Sequence, residues 1–285
     1  MALDNTWFSE ACPDFGSAFS LKIKEKLHDE TSDFQRIEIY DTEYYGKLMV
    51  IDGYVMLTER DNFIYHEMMS HPALFTHPDP KKIVIIGGGD CGTLKEVLKH
   101  KGVTEAWQVE IDERVTRISE QFFPNLCTSN YDPRANFFFG DGIKWIESAE
   151  AESIDVIIID STDPIGPAEG LFAEPFYRSC FRALSPQGVL VQQSESPLYH
   201  LQLLSDMRKA MRSTGFNHMA TLQFPQACYP SGWWSATLAG KGINPKTFRA
   251  ADAETTPFET LFYSAAMQDS ALTLPPFVAS VLDKE

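Results

Sequence analysis

The chain has 285 residues with 24 Lys and Arg against 40 Asp and Glu, so its formal net charge is −16. Hydrophobic residues at 44% and charged residues at 22% are ordinary globular proportions, and the length corresponds to about two domains or one large α/β unit. A charge this negative repels phosphate backbones and anionic lipid. It argues against a nucleic-acid partner or a membrane-surface role and favours a cationic ligand.

The cysteines and the N-terminal residues predict a reducing compartment. Five cysteines are scattered along the chain without CxxC spacing, which argues against a disulfide framework and a zinc site. Residues 1–15 lack the basic and apolar regions of a signal peptide. No apolar run approaches the roughly 20 residues that span a bilayer. We therefore expect a cytoplasmic protein that does not enter the membrane.

The first part of the chain has the two-residue periodicity of β-strands. Arg36–Tyr40 alternates polar and apolar residues, and Asp52-Gly53 separates two apolar runs. Asp-Gly tolerates the positive φ of a tight hairpin turn, so a hairpin is predicted there. We assign residues 1–58 to a small N-terminal β domain and residues 59–285 to a catalytic domain.

Beyond residue 62 helical segments alternate with apolar strands. The apolar run Ile83–Ile86 predicts a strand buried on both faces, and a helix is predicted on either side of it. Later strands are predicted to end at Glu110, Phe139, Ile159 and Gln192. This alternation predicts a doubly wound, mainly parallel Rossmann-like sheet of the methyltransferase type. We further expect a late hairpin over 221–238 and an irregular C-terminal tail around Pro275 and Pro276.

The loop after the first strand of that sheet, Gly87 to Gly92, is rich in glycine. It lacks the Lys and the Ser or Thr of a phosphate-binding P-loop and fits GxGxxG only partly. It also contains Asp90, where a dinucleotide fold would place a pyrophosphate. Because two anions repel each other, Asp90 argues against a dinucleotide and favours a cationic ligand.

Acidic side chains also follow the next three strands, at the sheet edge where such folds bind ligands. Glu110 is placed to accept the hydroxyls of a ribose, whereas Asp112 favours a helix cap. Asp141 suits either an adenine amino group or a cap. Asp160 and Asp163 lie three residues apart in one loop, where one carboxylate can take a proton while the other holds a charge.

Several motifs in fixed order resemble the spermidine synthases, the polyamine aminopropyltransferases. The loop GGGDxG is followed by VEID, GDG and DSTDPIGPAEGLF, and the likeness extends to Thr58–Leu74, to QSESP from Gln193 and to YPSGWW from Tyr229. It covers nearly the whole chain. The resemblance implies aminopropyl transfer from decarboxylated S-adenosylmethionine to putrescine, giving spermidine and 5′-methylthioadenosine. It also implies a homodimer or homotetramer, with no cofactor and no metal.

The resemblance also assigns roles to individual residues. The nucleoside part of the donor is expected at Gln35, Glu110, Asp141, Gly142 and Pro167. The family acid beside the aminopropyl ammonium corresponds to Asp90, and the proton acceptor corresponds to Asp160. The polyamine is expected to contact Asp90, His66, Asp160 and Asp163, in a channel that Tyr65, Gln193 and Tyr229 line.

One residue departs from the family pattern, because Cys91 stands where the family usually has Gly. A positive φ at Cys91 would carry strain of about 1–3 kcal/mol. We expect instead that Cys91 opens the following helix and has a structural role.

Other functions remain open at this point. One alternative keeps the fold and the donor but uses another amine acceptor, such as agmatine, cadaverine or spermidine, and the length of the amine channel decides between them. An S-adenosylmethionine-dependent diamine N-methyltransferase is a second enzyme class, against which Asp90 argues. A polyamine or nucleoside sensor without turnover is a third possibility. A zinc site is not expected, since the spacing of His66-Glu67 and His71 differs from HExxH.

Overall fold

The computed structural model describes residues 3–163 and 166–282, without the side chains of residues 166 and 167. The N-terminal strands form a five-stranded antiparallel sheet in which each strand pairs with the next along the chain. These strands are β1 (Trp7–Cys12), β2 (Ser17–Thr31), β3 (Arg36–Thr42), β4 (Lys47–Ile51) and β5 (Tyr54–Thr58). The predicted hairpin joins β4 to β5, and φ is 51° at Asp52 and 91° at Gly53.

A seven-stranded sheet follows, and it confirms the predicted doubly wound architecture. Its strands are β6 (Lys82–Gly87), β7 (Glu105–Glu110), β8 (Ala135–Phe139), β9 (Ile154–Asp160), β10 (Leu184–Gln193), β11 (His218–Pro225) and β12 (Trp233–Gly240). Their order in the sheet is β8-β7-β6-β9-β10-β12-β11. The five strands from β8 to β10 are parallel, while β12 runs antiparallel to β10 and β11, as the predicted late hairpin requires.

Helices cover both faces of this sheet. They are α1 (Asn62–Thr76), α2 (Gly92–Leu98), α3 (Glu113–Phe122), α4 (Gly142–Ser148), α5 (Glu174–Ala183), α6 (Leu201–Ser213), α7 (Ala250–Glu254), α8 (Ala265–Ala271) and α9 (Pro276–Leu282). Alternate residues of β6 enter two different cores: Ile83 and Ile85 pack under α1 and α2, and Val84 and Ile86 pack under α4 and α5. The strand is buried on both faces for this reason. No helix in the described part of the chain is long and apolar enough to cross a membrane.

The C-terminal tail is more regular than predicted. Pro276 is the first residue of α9, where a missing N–H costs nothing and the fixed φ of proline suits a helix. Val278 and Leu282 of α9 pack against Leu204 of α6. The expectation of an irregular tail was therefore wrong, because the two prolines begin a helix instead of excluding one.

The strand order reverses between β6 and β9, and the glycine-rich loop leaves the sheet at this point. Gly87 pairs with Asp160 in the register of these two strands. A Cβ on Gly87 would lie 2.2 Å from the carbonyl oxygen of Asp160, and φ of Gly87 is 82°. Only glycine permits both this approach and this conformation. The loop is thereby held directly against the end of β9.

Candidate active site

Two adjoining cavities lie over the carboxyl ends of the parallel strands. The first has a volume of about 250 Å³ and the second about 220 Å³. Side chains of Tyr65, Asp163 and Tyr229 line both, so the cavities meet at these residues. The other predicted residues that line the first cavity are Gln35, Asp90, Glu110, Asp141, Gly142 and Asp160. Gln193 lines the second.

Two predicted residues are not among the described residues that line the cavities. His66 is buried behind Asp90 and is absent from the described lining of either cavity. Pro167 belongs to a short 3-10 helix, Gly166–Phe172, but its side chain is outside the described residues.

Glu110 occupies the end of β7 beside the glycine-rich loop. Its Oε1 accepts a hydrogen bond from the backbone N–H of Asp112 at 2.9 Å. Burial raises the pKa of the Glu110 carboxyl to about 7. A Cβ on Gly89 would lie 2.8 Å from Oε2, so a glycine there leaves room for the carboxylate. Glu110 thus presents a buried acceptor to the first cavity.

Asp112 joins the two sheets of the molecule. One oxygen of its carboxylate caps α3 by accepting from the Arg114 N–H at 3.0 Å, as predicted. The other accepts from the Ser32 hydroxyl at 2.6 Å and from the Gln35 side-chain amide at 3.1 Å. The loop before β3 is therefore fixed over the first cavity, with Gln35 in its wall.

Asp141 is a helix cap, one of the two roles left open by its sequence context, and it also lies at the wall of the first cavity. Its Oδ1 accepts from the backbone N–H groups of Ile143 and Lys144 and caps α4. Gly142 follows as the first residue of α4, where a Cβ would lie 2.6 Å from Ile86. The cap holds the carboxylate at the cavity wall, and the glycine lets α4 approach β6 closely.

Asp90 forms a buried pair with His66. The His66 Nε2 lies 3.2 Å from Oδ1 of Asp90, and Oδ1 also accepts from the Gly92 N–H at 2.6 Å. Burial lowers the pKa of His66, but the Asp90 carboxylate more than offsets this and raises it overall. The Asp90 side chain is thus held at the wall of the first cavity, with His66 behind it.

Asp160 lies at the end of β9 and lines the first cavity. It is buried, and its two oxygens accept hydrogen bonds from different hydroxyl groups: Oδ1 from Tyr65 at 2.8 Å and Oδ2 from Thr93 at 2.6 Å. Burial, and then the nearby Asp90 carboxylate, raises the pKa of Asp160. A raised pKa makes this group a stronger base once it is ionised.

The second cavity contains an acidic cluster that the sequence analysis only partly found. Burial and the contacting carboxyl group of Glu195 raise the pKa of Asp163 to about 8. Glu195 is buried and contacts the side chains of Asp163 and Gln193, but neither of its oxygens has a well-aligned hydrogen bond from a described residue. Nδ1 of His200 lies 3.1 Å from Oε2 of Glu195. Buried carboxyl groups without well-aligned hydrogen bonds are suited to a cation that enters the cavity.

Glu10 completes this cluster from the N-terminal sheet. Its Oε2 accepts from the Val55 N–H at 2.7 Å, and burial raises the pKa of Glu10 to about 7. Neither Glu10 nor Glu195 was predicted as a site residue. The strand-end argument would have found Glu195, which stands two residues beyond β10. Nothing in the local sequence of β1 distinguishes Glu10, since only the tertiary structure brings β1 over the second cavity.

Cys91 has a positive φ and also opens the following helix, so both features considered for it are present. It stands immediately before α2 as its N-cap, and its φ is 68°. A non-glycine residue is strained there by about 1–3 kcal/mol. Its side chain is buried beside Cys127, and this contact, followed by burial, raises the pKa of the Cys91 thiol. A buried thiol with a raised pKa is unreactive, which agrees with a structural role.

The buried carboxyl groups of the two cavities predict that the stability of the ligand-free protein depends on pH. The folded-state pKa values of Glu10, Glu110 and Asp163, about 7, 7 and 8, lie above the usual values near 4. The folded state therefore holds protons that the unfolded state has released, and stability falls as pH rises through these pKa values. Between pH 6.5 and 8.5 we expect a loss of about 3 kcal/mol.

Thermal unfolding measured across this range tests that expectation. The melting temperature should fall by several degrees, and the Asp163→Asn variant should show a smaller slope. Below pH 6.5 buried neutral histidines such as His100, whose pKa burial lowers to about 3, act in the opposite sense. A melting temperature that rises between pH 6.5 and 8.5 would contradict this electrostatic description.

Comparisons with known proteins identify the family. Residues 62–249 match the spermine/spermidine synthase domain. The chain belongs to the spermine/spermidine synthase family. Residues 6–59 match the spermidine synthase tetramerisation domain. The chain is an enzyme of the aminopropyltransferase class, as the resemblance implied.

Relatives of high identity support this assignment. The polyamine aminopropyltransferase of Thioalkalivibrio sulfidiphilus is 60% identical over 97% of this chain and 98% of its own length. The polyamine aminopropyltransferase of Methylococcus capsulatus is 59% identical over 97% of this chain and 96% of its own length. Two solved structures are 34% identical and cover 100% of this chain and 97% of their own. They are a spermidine synthase in complex with the transition-state analogue AdoDATO, with a TM-score of 0.94, and the Thermotoga maritima spermidine synthase, with a TM-score of 0.93.

Proposed function

We propose that this family member transfers the 3-aminopropyl group of decarboxylated S-adenosylmethionine to putrescine. The products are spermidine and 5′-methylthioadenosine. The observation that carries the proposal is that two acidic cavities meet beside Asp160, which lines the first cavity and is hydrogen-bonded to Tyr65, a residue that lines both. The first cavity suits a sulfonium nucleoside and the second a diamine. The AdoDATO complex of a structural relative supports the same use of the first cavity.

The walls of the first cavity suit a decarboxylated donor. Glu110 is placed to accept the ribose hydroxyls and Asp141 the adenine amino group, while Asp90 faces the aminopropyl ammonium. Ordinary S-adenosylmethionine carries a carboxylate beside that amine. Because Asp90 is an acidic side chain that is only 16% exposed, it attracts the decarboxylated donor and repels the carboxylate.

The second cavity suits the acceptor. Putrescine carries an ammonium at each end, and one of them must reach Asp160 to react. We assign the other to the cluster of Glu10, Asp163 and Glu195, where two carboxyl oxygens lack well-aligned hydrogen bonds from described residues. The wall between the two ends is aromatic: Tyr229 packs edge-on against Tyr65 and Trp234. Apolar walls between two acidic ends match the methylene chain of a diamine.

The reaction needs a neutral amine. A primary ammonium with a pKa near 10 has no lone pair, so Asp160 first takes its proton. The nitrogen then attacks the methylene carbon next to the sulfonium; a C–N bond forms, the C–S bond breaks, and the electron pair stays on sulfur. The leaving thioether is neutral, so we propose that no metal or cofactor is required. The acidic site opposes the deprotonation, and alignment of the bound reactants, worth about 7–11 kcal/mol, offsets this cost.

We also propose a cytoplasmic homo-oligomer, either a dimer or a tetramer. The match of residues 6–59 to a tetramerisation domain supports assembly through the N-terminal sheet. The scattered free cysteines support a reducing compartment.

An acceptor panel tests the choice of amine. Purified protein is supplied with decarboxylated donor and with putrescine, cadaverine, agmatine or spermidine, and each product is quantified. We expect the highest kcat/KM with putrescine. A higher value for another amine assigns the enzyme to that acceptor, and methylation of the amine by ordinary S-adenosylmethionine would overturn the proposal.

A further inference from the structure

Thr93 is a buried polar residue next to the reaction centre that the mechanism above does not use. It lies in the first turn of α2 and is fully buried. Its hydroxyl donates to Oδ2 of Asp160 at 2.6 Å, a length typical of a strong hydrogen bond between a hydroxyl and a carboxylate. The hydroxyl of a threonine in a helix often donates to a backbone carbonyl of the same helix. The Thr93 hydroxyl instead donates to Asp160, at the end of β9.

The two oxygens of Asp160 have different surroundings. Oδ2 lies between Thr93 and the glycine-rich loop, where a Cβ on Gly88 would be 2.6 Å away. Oδ1 is bonded to the hydroxyl of Tyr65, a residue that lines both cavities. The carboxylate is therefore bonded to α2 through one oxygen and, through the other, to a residue that lines both cavities.

We propose that Thr93 is a positioning residue that fixes Oδ2 of Asp160 and leaves Oδ1 as the oxygen that takes the proton from the amine. This inference rests on the proposed function. The bond from Thr93 stabilises the ionised carboxylate and prevents it from rotating, so the base is both available and correctly directed when the acceptor binds.

Other charged and titratable groups face Asp160 and set its titration together with Thr93. The Asp90 carboxylate favours the protonated form of Asp160 and His66 favours the ionised form. The charge on Asp160 in turn raises the pKa values of three nearby groups, which are Tyr65 of α1, Glu110 of β7 and Tyr229 in the loop before β12. Among the described residues Thr93 bonds only Asp160 of this group, so its removal changes one carboxyl directly.

The test is the pH profile of kcat for the Thr93→Val variant with saturating decarboxylated donor and putrescine. Valine keeps the shape of the side chain and removes the hydroxyl. Loss of a hydrogen bond to a charged group raises the pKa of Asp160, so the acidic limb should move up by about one pH unit. On the acidic limb kcat should fall about tenfold at a given pH while the KM of the donor changes little.

Two further variants separate positioning from structural support. Thr93→Ser restores the hydroxyl and should return the acidic limb to its wild-type position. Thr116→Val makes the same change in α3 at a buried threonine whose hydroxyl has no partner in the described part of the chain, and should leave the profile unmoved.

The possible outcomes are distinct. A Thr93→Val enzyme with lower thermal stability but the wild-type pH profile and kcat would overturn the positioning role and leave the proposed function intact. If wild-type protein releases no methylthioadenosine, the proposed function fails, and the role of Thr93 fails with it.

Discussion

Replacement of Asp160 by Asn should reduce kcat about 1000-fold, since general-base catalysis contributes about 10²–10⁴-fold. The amide has nearly the same shape as the carboxylate, so Tyr65 and Thr93 retain a polar partner. It has no basic oxygen, and the bound amine stays an ammonium without a lone pair. Steady-state kinetics with the decarboxylated donor and putrescine measure the loss.

The variant should stay folded. Burial raises the pKa of Asp160, so the ionised carboxylate destabilises the folded protein, and Asn removes that cost. Asp79→Asn makes the same change in net charge at a mostly exposed side chain and serves as the control. Near-wild-type turnover by a folded Asp160→Asn enzyme would exclude Asp160 as the base.

Replacement of Asp90 by Asn should lower kcat/KM for the decarboxylated donor about 100-fold, because loss of one member of a buried charge pair costs roughly 2–5 kcal/mol. The same change removes the repulsion of a donor carboxylate. Ordinary S-adenosylmethionine should therefore inhibit the variant more strongly than the wild-type enzyme. Competition kinetics with the two donors measure the change in selectivity.

Glu110→Gln is the matched comparison for Asp90→Asn. Glu110 is assigned to the ribose, which both donors share, so its replacement should weaken both to a similar degree. If Asp90→Asn also weakens both donors equally, Asp90 does not select the decarboxylated form, and the explanation of this acidic loop is wrong.

The sequence patterns were sufficient for most of the fold because many strands are either buried on both faces or bounded by turn residues. Ile83–Ile86 of the large sheet shows the first property, and Asp52-Gly53 of the N-terminal sheet shows the second. The prediction of an irregular tail was wrong because proline has opposite effects at different positions. It disrupts a helix in its interior but favours one at the first position, where Pro276 stands. Packing of Leu282 against α6 decides between them, and no local pattern contains that contact.

The site was predictable wherever its residues stand at strand ends. Asp90, Glu110, Asp141 and Asp160 were found by that argument, and the structure places them around one cavity. Their individual roles remain predictions. Residues brought in by tertiary structure were missed, as Thr93 was, because a threonine in a helix carries no signal of what it faces. The backbone conformation of Glu195 was also not predictable. Its φ of 62° is adopted by few non-glycine residues, and the neighbouring sequence does not indicate a positive φ.

The most direct test of the account is the stoichiometry of the products made by the purified protein from decarboxylated S-adenosylmethionine and putrescine. The account predicts spermidine and 5′-methylthioadenosine in equal amounts, with release of both dependent on the amine. It predicts no such products when ordinary S-adenosylmethionine is the donor. A protein that binds both substrates yet forms neither product, or one that methylates the diamine, would contradict the assignment of the acidic crevice to aminopropyl transfer.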